Sequence, residues 1–396
     1  MNFQKYQLKE NSHRIVLNTI RQNSEISGAD IARKTNYQPS TISYILKKLE
    51  QINLIEFSRI GLSQGSGKPP TLWKISDDLG FIFGIECLLN EFRVSLINAT
   101  GKIEFQERYY FDTILDRRNL EVKINETIHQ ICHNKNIGKN KILGIGIALP
   151  GLIDSKNGFV HYSRPFNIKE SYLQKQLEQV LTIPSFIIND ANAGALGIKW
   201  FQNNNNKLFN NIIFLTVNDI TKDLGAGIII NKQLFDGVDG SAGEMLKSLP
   251  DVVKLIATAK KRFNQPDSNW DKYTKHEEVK FSEIVSKAKT NDKIASFILQ
   301  KFGQVLVDQI LQIIGFYNPA KIVLGGDITT ADFLVNDFVL PGAKKQFAKL
   351  FPSGITFPEI LYSPFGIFSV SIGAAALILR EIYSFDNNFI HMKEEV

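Results

Sequence analysis

The chain has 396 residues, 43% hydrophobic and 22% charged, with a net charge of +6. That length calls for two or three domains, and two cysteines, Cys87 and Cys132, exclude a disulfide framework or a multi-cysteine zinc site. The opening MNFQKYQLKENSHR lacks the apolar core of a signal peptide. The most apolar late stretch, Ile372–Leu379, is far shorter than a membrane span, so a cytoplasmic protein without a membrane partner is expected.

The charge is unevenly placed. Residues up to Ile75 carry eleven basic and five acidic side chains, which is the whole excess. A small basic module on a neutral body suggests a nucleic-acid contact. Ile15, Val16, Leu17 and Ile20 mark a first amphipathic helix. SGADIARKTNY reads as a second, with Ser27 as N-cap and Asp30 completing an Asp variant of the capping box. After a turn with Tyr37 and Pro39, a third helix places Ile42, Ile45, Leu46 and Leu49 at core spacing. Two short helices, a turn and a longer helix form the helix-turn-helix pattern.

The outer face of that third helix carries Gln38, Ser40, Thr41, Ser43, Tyr44, Lys47 and Lys48. Small polar groups near a helix start suit base edges, and lysines suit phosphates. Ser40 or Thr41 could instead serve only as a cap. Residues 54–60 and 71–75 read as a β-ribbon wing, with Lys68 held at its tip between Gly67 and Pro69-Pro70. Such a lysine suits a minor groove or a phosphate. A winged helix used only for protein contacts is the alternative.

From Gly80 the pattern changes to three strands with a turn at Thr100-Gly101, a helix around 117–136 and the buried strand ILGIGIALPG. A helix near 170–181, the strand SFIIND, a helix from Ala191, and the strands NNIIFLTVN and LGAGIIINKQLF follow. Antiparallel strands followed by alternating helix and strand, seen twice, predict two α/β lobes, with ligands at the carboxyl ends of strands between them.

The motifs GSGKPPTLWKIS, GIGIALPGLIDSKNGFV, IPSFIINDANAGALG, LGAGIIINKQLFDGVDGSAGE, NPAKIVLGGDI and SIGAAALIL occur in that order. Together they resemble a transcriptional regulator of the ROK family (repressors, open reading frames and sugar kinases) over nearly the whole chain. The resemblance implies a winged helix-turn-helix at residues 1–78, mostly α with a β-ribbon wing. A two-lobed α/β domain of the actin-like ATPase, ribonuclease H-like fold would follow at 79–396. Its lobes would run from about 79–190 and 191–365, with a C-terminal helix at 366–382 packing back on the first lobe.

In kinases of the family the loop matching residues 86–91 reads Asp-Ile-Gly-Gly-Thr-Lys, and its glycines let backbone N–H groups approach ATP phosphates. Here Glu86 stands for Asp, Leu88 and Leu89 for the glycines, Asn90 for Thr and Glu91 for Lys. Two isobutyl groups would fill the phosphate volume, and a carboxylate replacing a cation would reverse the local charge. The second phosphate loop is matched by TVNDITKDLGAG, where Asp219 and Asp223 intrude and only Gly225-Ala226-Gly227 survives. ATP is therefore not expected as a cofactor.

Family members carry Gly-Glu-x-Gly-His and then a cysteine cluster for structural zinc. Here Gly243-Glu244-Met245-Leu246-Lys247 stands at that place with no cysteine after it, so no zinc is expected and packing must hold the charged, helix-like segment 250–285. Cys132-His133, on a predicted surface helix, lacks further ligands.

For the sugar site the resemblance implies Asn189, Asp190 and Glu244, with Lys247 in place of a histidine and Gly158 and Ser163 in a lining loop. Amides and carboxylates exchange hydrogen bonds with vicinal hydroxyls. Asn189 and Asp190 could also serve as a turn residue and an N-cap.

These readings converge on a sugar-responsive transcriptional regulator, most simply a repressor, without catalytic residues. It would bind an inverted-repeat operator as a homodimer or dimer of dimers, with a sugar or sugar phosphate shifting its head spacing. An active sugar kinase, with Asp190 as base, is one alternative. A regulator answering to a protein partner is the other.

Overall fold

A computed structural model describes residues 11–62, 69–201, 210–217, 224–245, 251–265, 269–275 and 279–383. Lys68, Asp219, Asp223 and Lys247 lie outside the described residues.

The head is built from α1 (Asn11–Asn23), β1 (Ile26–Ser27), α2 (Gly28–Thr35), α3 (Pro39–Gln51), β2 (Ile55–Ile60) and β3 (Thr71–Ile75). Val16, Leu17 and Ile20 of α1, Ile31 and Ala32 of α2, and Ile42, Ile45, Leu46 and Leu49 of α3 are buried. Helix α2 starts as its sequence asks: Asp30 N–H donates to Ser27 Oγ at 3.1 Å, and Ser27 Oγ donates back to the Asp30 carboxylate. It ends where Asn36 turns left-handed at φ 57°. Pro39 can open α3 because the first helical residue needs no N–H partner. Strand β1 has no sequence signature; its two residues pair with Leu72 and Trp73 of β3 and complete a sheet of order β1-β3-β2.

The chain divides into two compact units, the first of which includes the head. One takes in residues up to Ile188 and those from Ala374 on; the other is Asn189–Gly373.

The first unit holds β4 (Phe81–Leu88), β5 (Glu91–Asn98), β6 (Ile103–Tyr110), α4 (Leu120–Asn134), β7 (Ile142–Leu149), β8 (Leu152–Asp154), β9 (Phe159–Ser163), β10 (Ile168–Ser171), α5 (Leu173–Leu181) and β11 (Ser185–Asn189). The main sheet has the order β11-β7-β4-β5-β6, with β4 antiparallel to β5 and parallel to β7. Every residue of β7 is buried, as expected of a strand covered on both faces. A smaller sheet, β10-β9-β8, carries the segment around Gly158 and Ser163. Its strands are too short for a periodic signal in the sequence.

The second unit begins with α6 (Asp190–Phe201) and a sheet of order β14-β13-β12-β15-β16. These strands are β12 (Ile212–Thr216), β13 (Gly225–Ile230), β14 (Gln233–Leu234), β15 (Lys321–Gly325) and β16 (Glu359–Tyr362). Helices α7 (Val252–Phe263), α8 (Phe281–Lys289), α9 (Lys293–Tyr317), α10 (Asp332–Leu334) and α11 (Leu340–Leu350) complete it, and α12 (Ser369–Tyr383) runs from its last residues into the first unit.

The described residues between 251 and 285 pack onto the core of the second unit. Trp270 is buried among Ile256, Ala259, Val279, Phe281 and Ile284. Its indole N–H donates to Asp292, which also accepts from Ala295 N–H to cap α9. Helix α9 and the stretch Gly366–Tyr383 are each long and apolar enough to cross a membrane, yet each is 72% buried and works as a core helix. The last apolar stretch is thus longer than Ile372–Leu379 suggests.

Close approach explains one glycine directly. A Cβ on Gly146 would lie 1.8 Å from the Ala374 carbonyl oxygen, so α12 can rest on β7 only where a side chain is missing. Gly146→Ala should therefore destabilise the first unit by about 3 kcal/mol. Gly354→Ala, where a Cβ meets nothing within 4 Å, should stay within about 0.5 kcal/mol of the parent. Urea unfolding of the two variants checks the contrast.

Candidate functional site

Helix α3 presents one unbroken polar face. Gln38 is its N-cap, with an extended backbone and no side-chain capping bond. Ser40 and Thr41 are exposed within the first turn, and neither caps the helix. The Ser43 hydroxyl donates to the Pro39 carbonyl at 3.0 Å. Tyr44 is 57% exposed, with Lys48 Nζ 5.7 Å from its ring centroid and His13 edge-on at 6.2 Å. Lys47 and Lys48 are exposed. Core side chains on the opposite face fix the helix and leave this surface exposed.

The hairpin matching the first phosphate loop is closed. Leu88 pairs with Glu91, leaving a two-residue connection of Leu89 and Asn90. Neither takes a positive φ, so glycine is not required there. Leu115 N–H donates to Leu89 O at 2.6 Å and Phe111 N–H to Asn90 O at 2.9 Å, which tie the turn to the following chain. Leu88 is buried, and neighbouring Phe92 packs edge-on against Phe111 at 4.8 Å.

The charges there differ from the sequence reading. Glu86, Glu91 and Arg93 are all buried. Arg93 Nε donates to Glu91 Oε1 at 2.9 Å, and its Nη1 lies 3.8 Å from Glu86 Oε2. Arg108 Nε and Nη2 donate to the two Glu91 oxygens at 2.7 and 2.8 Å. Burial pushes the Glu91 carboxyl up, but hydrogen bonds and charge from Arg108 and Arg93 outweigh it, leaving its pKa below the ordinary value. The expected charge reversal is thus corrected to a balance, because strand pairing supplies two arginines that the local sequence does not place beside the loop. Burial, helped by the Glu86 charge, holds the Cys87 thiol well above its usual range.

In the second unit, Asn189 and Asp190 sit where β11 passes into α6. Asn189 Oδ1 accepts from Asn192 N–H at 3.1 Å, so it caps α6, and Asp190 Oδ1 accepts from Ala191 N–H at 2.9 Å. Gly225 lies alongside: a Cβ there would be 3.0 Å from Ala191 Cβ, 3.2 Å from Thr216 Cγ2 and 3.9 Å from Asp190 Oδ1. Gly225 also bridges to Glu244, whose side of the loop is set by Gly243 at φ +92°. Asp190 and Glu244 are thereby gathered around Gly225. Thr216, missed in the sequence, joins them. It is 4% exposed, and its hydroxyl finds no hydrogen-bond partner among the described residues.

Gly158 and Ser163 belong to the first unit. Gly158 turns at φ +64°, where a Cβ would meet Gln174 at 2.6 Å. Ser163 is fully buried and donates to Pro150 O at 2.6 Å, so it offers a ligand no free proton in this conformation.

A winged helix-turn-helix head on a two-unit, actin-like α/β body is the class this fold defines. A winged helix-turn-helix DNA-binding profile matches residues 10–56, and the ROK family profile matches residues 82–249 and 257–381. The chain belongs to the ROK family. A xylose repressor of Bacillus spizizenii is 27% identical over 391 residues, covering 94% of this chain and 96% of its own. The crystal structure of a ROK family transcriptional regulator, a homologue of the E. coli MLC protein, superposes with a TM-score of 0.74 at 19% identity. It covers 96% of this chain and 97% of its own. A ROK family glucokinase from Streptomyces griseus, with glucose and AMPPNP, gives a TM-score of 0.61 at 20% identity over 75% of this chain and 99% of its own.

Glu91 should link the hairpin to acid stability. Its lowered pKa means its stabilisation is complete above the unfolded value, near 4.5, and fades as pH falls through the lower folded value. Glu91→Gln should flatten that acid limb in melts recorded from pH 6 downward. Arg93→Ala, which strands buried carboxylates, should cost about 3–5 kcal/mol at neutral pH.

Proposed function

We propose that this protein is a sugar-responsive, operator-binding transcriptional repressor of carbohydrate-utilisation genes, working in the cytoplasm as a dimer or dimer of dimers. Its α/β body would sense a sugar or sugar phosphate without phosphorylating it. The observation that carries this reading is the pairing of a free polar face on α3 with a closed β4–β5 hairpin in the body.

The similarity to the xylose repressor supports the regulatory half, and the fold shared with the glucokinase supports a sugar-sized site. In the proposed reading, Gln38, Ser40, Thr41, Ser43 and Tyr44 meet base edges, while Lys47, Lys48 and Lys68 meet phosphates. Asn189, Asp190 and Glu244, all of the second unit, hold sugar hydroxyls. Asp190 then works as a hydrogen-bond acceptor and not as a base.

ATP does not fit the first loop as it stands. A phosphate there needs backbone N–H groups laid open by glycine and a cation free to receive it. Leu88 is buried in that place, and both neighbouring arginines already serve Glu91. A cysteine-bound zinc is not expected in the second unit either, since both cysteines of the chain precede it in sequence.

The test is a mobility-shift assay on DNA upstream of the protein's own gene and its neighbours, with a panel of sugars and sugar phosphates. A retarded band that a sugar weakens or strengthens is expected. Asp190→Ala should abolish the sugar response and leave DNA binding intact. Replacing Lys47 and Lys48 by Ala should weaken all sequences alike and lower the salt slope by roughly one per lost phosphate contact. Sugar-dependent ADP release from Mg-ATP would count against the reading.

A further inference from the structure

We infer that Arg21 is a positioning residue for operator recognition: it latches the winged head onto Tyr383 of α12 and so sets the head's orientation. The inference rests on the operator-binding reading above, but the latch itself can be measured without DNA.

Helix α1 has two working faces. Val16, Leu17 and Ile20 point into the head core. At 100° per residue, Arg14, Asn18 and Arg21 share the adjoining flank, about a quarter turn away. The Arg21 guanidinium lies 5.3 Å from the Tyr383 ring centroid, within cation–π range. Its Nε and Nη2 both donate to Asn18 Oδ1 at 3.2 Å, which holds the plane of the group. Tyr383 is fully buried, and its hydroxyl donates to the Ala99 carbonyl at 2.8 Å, so the ring is pinned to the turn after β5.

Electrostatics favour the same contact. Tyr383 lies in the last described turn of α12. Two arginines of α1 approach that end. Arg14 feels the Glu381 carboxylate, and burial lowers the pKa of both arginines, which places them in a partly dehydrated contact.

The chain link between head and body adds little hold. The chain passes between them once, near Ser76–Gly80, where Leu79 N–H donates to Ser76 O at 3.2 Å. Lys141 reaches Asp78 across it, but that carboxylate is 87% exposed, and exposed pairs hold little. Without the latch, a head joined by one covalent crossing keeps its own fold and its recognition face yet loses a fixed direction. A dimer reading an inverted repeat needs that direction, because head orientation sets the half-site spacing.

The experiment uses the full chain and three variants: Arg21→Ala, Arg21→Lys and Tyr383→Phe. Affinity is measured for a single half-site and for inverted repeats whose spacer is changed one base pair at a time. Arg21→Ala should bind the half-site as the parent does while its preference for the best spacing drops by about tenfold, the scale of a desolvated cation–π contact. Arg21→Lys keeps the cation, Tyr383→Phe keeps the ring, and both should retain the preference.

In parallel, nitroxide labels on Glu50→Cys in α3 and on native Cys132 report the head-to-body distance distribution without DNA; Cys87 is buried. That distribution should be narrow in the parent and Arg21→Lys, and broad in Arg21→Ala. An unchanged spacing preference in Arg21→Ala overturns the inference, as does an equal loss on half-site and full operator, which would mean a direct contact with DNA. If the parent binds no DNA, the operator reading fails and the distance measurement decides alone: an unchanged width in Arg21→Ala overturns the latch.

Discussion

The body of this protein turns on one buried cation. Arg93 stands inside the β4–β5 hairpin and holds Glu91 at 2.9 Å while facing Glu86. Strand register places Arg93 directly opposite Arg108, a like-charged pair that by itself repels. The Glu91 carboxylate resolves the conflict by accepting from both. Three charges that would each be unfavourable alone become mutually dependent, and the hairpin can close without glycine.

The same economy of space shapes the second unit. Helix α6 must approach β13 so closely that a Cβ on Gly227 would stand 2.1 Å from the Ala191 carbonyl oxygen. That proximity brings Asp190 beside Gly225, whose backbone in turn bridges to Glu244. Asn189 spends its amide oxygen on capping α6, so capping and ligand binding would be divided between two atoms of one side chain. The polar cluster is thus a consequence of how tightly helix and strand pack. A buried Thr216 hydroxyl at the end of β12 adds a further polar group beside it.

The head was legible in the sequence because its signals are local. Ser27 and Asp30 form their reciprocal bonds within one turn, and the core spacing of α3 needs only a helical period. The two-fold α/β alternation of the body was legible for the same reason. Arg93 and Arg108 were not, since their partner is chosen by strand register, which the order of residues does not reveal. Loop 86–91 read alone suggests an excess of negative charge; only the pairing of β5 with β6 shows it balanced. Strand β1 and the small β8–β10 sheet escaped because two to five residues carry no period. Trp270 gave no sign that it would anchor the segment around α7, because its Asp292 partner lies 22 residues on.

The proposed receptor role requires that no nucleotide enter the β4–β5 hairpin, where Leu88 is buried and Arg93 and Arg108 are engaged by Glu91. Isothermal titration of the full chain with Mg-ATP, in the presence and absence of saturating sugar, addresses it most directly. The account predicts no binding heat for nucleotide in either condition. Saturable micromolar binding of Mg-ATP would contradict it.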